Sequence, residues 1–333
     1  TAWPAGMMCQ EGLQPSFYSV FTAPYLTLSN LAYTRFYGGP TGLLNERGES
    51  VGKKVINQHY IPQMYLSRFC SDGKHFDVWN IRNDAIIPRQ QIRNFAAKRY
   101  FYDADNTVLK SALSEMEDYY RTSFSPFLEE NDQFVEKGLS RAEADIANTL
   151  KQIDKNHNCL YEDDVQIKLI IFLHDLAFRT EAYRNQTDNI SNQLRNHLLR
   201  LGIDPTQVKG LCTGQESQLY QLLGITPLLE TAEQLETRYS WYFATVGGTQ
   251  RLIVSDNPAQ GVWLGFNDIC FPISGEQAII FKVKNQNAPI ISSDMAVQNK
   301  ITLSDCSVLK YNIIQSSYGS GLKNSPRSIR RPG

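Results

Sequence analysis

The sequence predicts an α+β fold: a helical middle (long helices about 109–130, 140–155 and 163–201) packed on a mostly antiparallel C-terminal sheet, with short strands ahead of the helices. Three observations predict it. Between Gly138 and Gly202 there is no Gly or Pro, so nothing punctuates a helical stretch. From Trp241 onward the apolar residues change to period two, the strand spacing. The order is strands, then helices, then strands, which differs from the alternation of a βαβ protein.

Taken in order, Phe76-Asp77-Val78-Trp79-Asn80 alternates after the Asp72-Gly73 turn and reads as a strand. Ala85 to Arg89 and Tyr100-Phe101-Tyr102 are two further strand candidates, and early strands of this kind can join the later sheet. Leu113, Met116, Tyr120, Phe124 and Phe127 recur at three and four, a helical face. Ser140-Arg141-Ala142-Glu143 has the form of a capping box and predicts a helix start. Asp163 to Leu201 reads as one long helix or two end to end. Gln218 to Leu223 and Pro227 to Arg238 predict two more. Trp241 to Val246, Gly247-Gly248 and Arg251 to Val254 form a β-hairpin pattern. Gly261 to Leu264, Ile269 to Ile273 and Ala278 to Val283 extend it. A last helix is expected over Met295 to Leu309, and an edge strand over Asn312 to Gln315.

The chain has 333 residues, 42% hydrophobic and 20% charged, which fits a globular protein. Lys plus Arg is 33 and Asp plus Glu is 34, so no global charge draws it to nucleic acid or anionic membrane. A nucleic-acid or nucleotide partner therefore has to rest on a local feature. The six cysteines, at 9, 70, 159, 212, 270 and 306, include no Cys-x-x-Cys pair. Scattered thiols, no apolar run long enough for a membrane span and no secretory signal lead to a cytoplasmic expectation.

Residues 1–50 differ from the rest: they hold no Lys, and Arg35 and Arg47 are their only basic residues. They read as an atypical extension. Asn45 to Ser50 can be encoded by a purine-rich, ribosome-binding type of stretch, and Val51 can be a GTG start. On this reading the natural protein starts at Val51, and residues 51–318 are one α+β domain. The nucleotide sequence tests it. Residues 319–333, with basic residues and no acid, read as a disordered tail.

Three constellations can carry chemistry. Gln58-His59-Tyr60-Ile61-Pro62-Gln63, with Tyr65 and Arg68, sets an acid, base or metal-ligating imidazole beside a Pro-fixed backbone. The same His can instead bond backbone while the aromatics pack. Ser255-Asp256-Asn257-Pro258 follows an expected strand, where loops carry function on rigid support. Its residues equally suit a turn that closes on itself. On the long helix, Asp175 and Arg179 are four apart and can pair, whereas His174 and Arg179 point in different directions. Arg179 can also bind phosphate or carboxylate. His-Glu-x-x-His, the phosphate-binding loop, the dinucleotide fingerprint and the nucleophile elbow are all missing.

These segments also carry a resemblance. Asn57 to Gln63, Tyr65-Leu66, Phe69, Asn94-Phe95-Ala96-Ala97, Phe101-Tyr102, Leu113 to Glu117 and Phe178-Arg179-Thr180 occur in a set order. Trp241, Val254 to Pro258, Phe271 to Ser274 and Asn299 complete it. The chain resembles, over about Val55 to Tyr318, the bacterial family catalogued as domain of unknown function 4238. The resemblance implies membership and no reaction. It singles out His59, Arg179, Ser255, Asp256 and Pro258 as positions that match the pattern.

Two functional readings follow. The favoured one is a non-catalytic binding or interaction module, in bacterial stress or phage defence. The alternative is a hydrolase of phosphodiesters or nucleotides, with His59 as acid or base, Asp256 as base or ligand to a divalent metal cofactor, and Arg179 as phosphate clamp.

Overall fold

The computed structural model describes residues 54–80, 83–114, 133–208, 210–259, 261–262, 268–284, 295–297 and 300–317. The expectations for residues 1–50 and for the tail fall outside these. The elements run β1 (Asn57–His59), α1 (Gln63–Leu66), β2 (His75–Asn80), β3 (Ala85–Gln91), β4 (Ala97–Arg99) and α2 (Asn106–Ser114). Then come α3 (Phe134–Lys155), α4 (Asp163–Phe178), α5 (Glu181–Arg200), α6 (Gly214–Leu223) and α7 (Ile225–Glu233). The chain ends in β5 (Tyr239–Val246), β6 (Asp268–Pro272), β7 (Gln277–Val283), β8 (Met295–Val297), β9 (Lys300–Leu303) and α8 (Asp305–Ser317). The fold is α+β, with the helices in the middle, as the pattern of the sequence predicts.

The C-terminal sheet has the order β6-β7-β5-β9-β8, and only the β5–β9 pairing is parallel. Period two decides its two faces. On β7, Ile279 and Phe281 enter the main core with Phe243, Phe271 and the helices. Ala278 and Ile280 face the other way, into a smaller core with Val308 and Tyr311 of α8. The sheet therefore lies between the helical middle and α8. Helix α4 is the centre: Leu169, Ile170, Leu173, Leu176 and Ala177 have no exposure, the mark of a helix apolar all round. No helix among the described residues is long and apolar enough to cross a membrane.

The 163–201 stretch takes the second of its two expected forms, two helices end to end, because Arg179 leaves helical geometry and Thr180 caps α5 by accepting from Tyr183 N at 3.2 Å. Several elements differ from expectation. Of the expected helix 109–130, α2 covers the start, and residues 115–132 lie outside the described set. Ser140 and Glu143 are not a helix start: α3 begins at Phe134 after Gln133, a left-handed residue with φ 53°. The strand candidate Tyr100–Tyr102 is a turn after β4, and its Phe101 and Tyr102 are buried. The early strands do not join the large sheet but form two separate pairs, β1–β4 and β2–β3.

The expected hairpin is absent, since β5 pairs with β7 and β9. Residues 251–254 instead give their backbone elsewhere: Leu252 N donates to Gly275 O at 2.9 Å and Ile253 N to Asn312 Oδ1 at 3.0 Å. Gly261 and Val262 are helical, not strand. The region from Met295 begins with β8 and β9, and Asn312 to Gln315 lie within α8. Alternating burial of Ile301 and Leu303 favours strand there, and Ser304 then opens the helix by accepting from Ser307 N at 3.3 Å.

Candidate functional site

Two clusters gather the sequence-selected residues. The first is a clasp around Arg179. Residues Asn57 to His59 pair with β4, setting His59 opposite Ala97. Gln58 is wholly buried; its Nε2 donates to Asp103 Oδ1 at 2.5 Å and its Oε1 accepts from Tyr102 N at 2.6 Å. The backbone oxygen of His59 accepts from Arg179 Nη2 at 2.5 Å. Arg179 is 1% exposed, and it also donates from Nε to Tyr102 Oη at 3.1 Å and pairs with Glu143 Oε1 at 2.9 Å. Burial works against the guanidinium charge, and Tyr102 and Glu143 more than offset it, so Arg179 stays charged. Arg179 therefore spends its donors inside the protein, tying the α4–α5 break to the N-terminal segment and α3.

The His59 ring is half-buried. Its Nε2 is 3.1 Å from Arg93 O and its Nδ1 3.5 Å from Gln63 Nε2. A neutral ring protonated on Nε2 satisfies both contacts, donating to the carbonyl and accepting from the amide. Burial lowers the pKa of the ring below its ordinary value, and the Arg179 charge adds to this against the pull of Arg93 O and Glu143. Pro62 opens α1, its carbonyl accepting from Tyr65 N and Leu66 N at 3.0 Å each. Tyr65 is fully buried, donates to Pro272 O at 2.5 Å and stacks on Phe271. Arg68 reaches Ile273 O at 2.5 Å and binds Asp154 with both terminal nitrogens, at 2.9 and 2.6 Å. The opening signature thus fastens the first segment to the sheet and the helices.

Beside the clasp, Glu136 Oε2 is buried with no hydrogen-bond partner among the described residues. Burial raises its pKa to about 7; Arg179 opposes this, and Glu143 and Asp103 add to it.

The second cluster is a groove of about 400 Å³ between the β2–β3 ribbon and residues 252–256. Ser255 and Asp256 form part of one wall, and His75, Phe76 and Trp79 part of the other. Ser255 Oγ donates to Gln315 Oε1 at 3.2 Å and accepts from Asn257 N at 3.2 Å, so the Ser-Asp-Asn turn is pinned to α8. Gln315 Nε2 holds Pro258 O at 3.1 Å. Asn257 is buried and its Oδ1 accepts from Thr180 Oγ1 at 3.4 Å, which links this turn to the α4–α5 break. Asp256 is 7% exposed, and its charge adds to burial in pushing the Tyr60 hydroxyl well up.

On the ribbon, Asp72 Oδ2 meets His75 Nδ1 at 2.7 Å, while Asp72 Oδ1 accepts from Lys74 N at 2.9 Å and His75 N at 2.7 Å. The hydrogen bond to His75 is the first cause that holds the Asp72 carboxyl far below its usual range. The ionised carboxylate requires a proton on Nδ1, so in the neutral ring Nε2 carries the lone pair. Among the described residues nothing bonds that Nε2. Trp79 is fixed by its Nε1–H to Asp84 Oδ1 at 3.1 Å. A bulge between Phe76 and Val78 accompanies Arg89 at φ 51°, whose N–H is caught by Asp77 Oδ1 at 2.9 Å.

The structure brings Arg179 to the backbone of His59, and Ser255 with Asp256 to the groove; His59 and Arg179 are not among the groove residues. A second cavity of about 480 Å³, between α4 and β5, is lined in part by Trp241 of the signature but by none of the candidate site residues. Sequence reading missed Asp72 and His75 as site candidates, although their spacing of three in a turn was visible. It took Glu143 for a cap. Tyr102 was marked only as part of the Phe101-Tyr102 motif, and Gln133 carried no signal beyond polarity, yet Gln133 holds both the N–H and the carbonyl of Val55, at 2.8 and 2.9 Å. Among the described residues no group of three or more His, Cys, Asp or Glu is arranged to hold a metal ion.

The family model described as "Protein of unknown function (DUF4238)" matches residues 57–316, and the chain belongs to that family. No curated protein and no solved structure matches the chain.

Proposed function

We propose that this member of the family is a binding module whose ligand enters the groove between the β2–β3 ribbon and the Ser255-Asp256 turn. One observation carries the reading. The turn that marks the family resemblance supplies a wall of a ligand-sized groove, opposite a fixed Trp and an oriented His. His59 and Arg179, with Gln58, Pro62, Gln63, Tyr65 and Arg68, serve as the frame, through Thr180 and Asn257. A cytoplasmic setting belongs to this reading, supported by Cys70, Cys159, Cys212, Cys270 and Cys306, none of which forms a disulfide. So does a place in stress or phage defence, which a phage-challenge assay of a deletion strain tests.

A thermal-shift screen of small molecules on the full chain tests the binding. Ligands that stabilise the wild type are expected to lose their effect on Trp79→Ala. Ligands that act equally on both, or on neither, overturn the groove as the site.

The hydrolase reading is favoured by one feature, the Asp72–His75 pair, which has the form of a base held by a carboxylate. Its test is turnover of bis(p-nitrophenyl) phosphate and nucleotides, with and without divalent metal. His75→Ala should abolish any rate. A rate that depends instead on His59 or Arg179 would return the chemistry to the clasp.

A further inference from the structure

Helix α5 carries one line of residues from end to end and buries only its first part. Tyr183 lies in the buried part: its ring meets Phe178 edge to face, and its hydroxyl is 2.8 Å from Ser217 Oγ. Helical periodicity continues the same line through Ile190, Leu194, His197 and Leu201. There Ile190, Leu194 and Leu201 are between 37% and 61% exposed. The helix closes on Gly202 at φ 73°, with Ile203 N donating to Leu198 O at 3.0 Å and Gly202 N to Leu199 O at 3.1 Å. This turn folds the exposed Ile203 back to the end of the line. Of the eleven large apolar residues exposed among the described ones, five lie between 190 and 203, so the exposure is concentrated here.

The surroundings of the line lack charge. A solvated helix face ordinarily carries charged residues. The exposed positions described from 185 to 199 hold only Asn, Gln, His, Ile and Leu. The charged residues of this stretch turn the other way, Asp188 Oδ1 accepting from Gly214 N at 2.7 Å and Arg195 Nη2 donating to Leu211 O at 3.1 Å. Apolar residues with charge depleted around them are the composition of an interface core.

Two features select the occupant. The spacing of Ile190, Leu194, His197 and Leu201 is four, three, four, a heptad seam that reads the same in both directions. A second copy lying antiparallel about a two-fold axis therefore meets it in register, Ile190 against Leu201 and Leu194 against His197. Charge agrees with this arrangement. The flanking amides each offer donor and acceptor, so they match their own kind. Arg200, the nearest exposed charge, falls about 14 Å along the axis from its counterpart, whereas a parallel pair would set the two side by side. Ile190, Leu194, Leu201 and Ile203 offer roughly 80 Å² each, about 300 Å² per copy. A standard interface has about 450 Å² of non-polar surface per partner, so the pair is small and its dissociation constant micromolar.

We propose that two copies of this chain associate through α5, antiparallel, along Ile190, Leu194, His197 and Leu201. Sedimentation equilibrium of the full chain tests it. The mass should rise with concentration toward twice that of the chain. Leu194→Glu should weaken association about tenfold or more. Leu199→Glu, which is as exposed but on the opposite side of the helix, should leave it unchanged. Ile190→Glu and Leu201→Lys should each weaken it, and the two combined in one chain should restore it, because each Glu then faces a Lys. All four positions are exposed, so the variants keep the fold. Association that ignores Leu194→Glu, or that Leu199→Glu weakens equally, overturns the proposal. So does a double variant that stays dissociated, since the antiparallel register requires the rescue. A chain that remains monomeric overturns it as well: a lowered melting temperature of Leu194→Glu then assigns the face to another segment of the same chain, and an unchanged one to a different protein.

Discussion

The Arg179 clasp and the ribbon groove hold residues of one signature and treat polar atoms in opposite ways. In the clasp the Arg179 and Gln58 side chains are buried and satisfied, the guanidinium by the His59 carbonyl and Gln58 by Asp103 and the Tyr102 N–H. In the groove the His75 Nε2 and the indole face of Trp79 meet open space. Satisfied buried networks rigidify and specify a fold. Groups aimed at a cavity are available to a ligand. The difference teaches that a marked residue can be marked for either reason, and that Thr180 and Asn257 join the two kinds.

If the comparison is right, clasp variants unfold the protein and groove variants only silence it. Arg179→Ala should have the largest effect, about 3–5 kcal/mol lost in urea unfolding, since it leaves Glu143 and the His59 carbonyl unpaired. A loss below about 1 kcal/mol would show that the network is not structural. Tyr65→Phe should cost about 1–3 kcal/mol, because the Pro272 carbonyl loses its buried donor.

Glu136 sharpens the comparison as a defect inside the clasp. Its folded pKa of about 7 lies above the unfolded value of 4.5, so the unfolded chain releases this proton first as pH rises. Its contribution to stability is complete below 4.5 and is lost as pH rises to about 7. Glu136→Gln should remove that decline, read as melting temperature at pH 5 and pH 8; an unchanged slope would place the titration elsewhere. The smallest effect is expected in the groove. Asp77→Asn should move the melting temperature by no more than about 2 °C, as a surface change does. A large drop would mean that its bond to Arg89 N holds the ribbon together.

Much of the fold was legible because period and punctuation are local. The interval without Gly or Pro between 138 and 202 became α3, α4 and α5, and the period-two stretch became β5 and β7. The hairpin after Gly247-Gly248 was misread because the partner of a strand is not local. Asn312, some sixty residues on, takes the Ile253 N–H, and β9 takes the edge of β5. The last helix was misplaced for a related reason: Met295 to Leu303 is apolar in a way that both periods tolerate, and sheet pairing decides for strand. On the site side, His59, Arg179, Ser255 and Asp256 were visible as residues. Their partners were not, because Tyr102, Glu143 and Gln315 lie far away in the chain.

By itself the sequence determined the α+β class, the apolar centre of α4 and the family, since these depend on composition, spacing and ordered motifs. Only the tertiary structure decided which polar residues were enclosed and which faced a cavity. Burial and hydrogen-bond partnership are properties of contacts between distant segments. Arg179 is a brace because Glu143, Tyr102 and His59 converge on it, and Asp256 is a wall because the ribbon stands opposite.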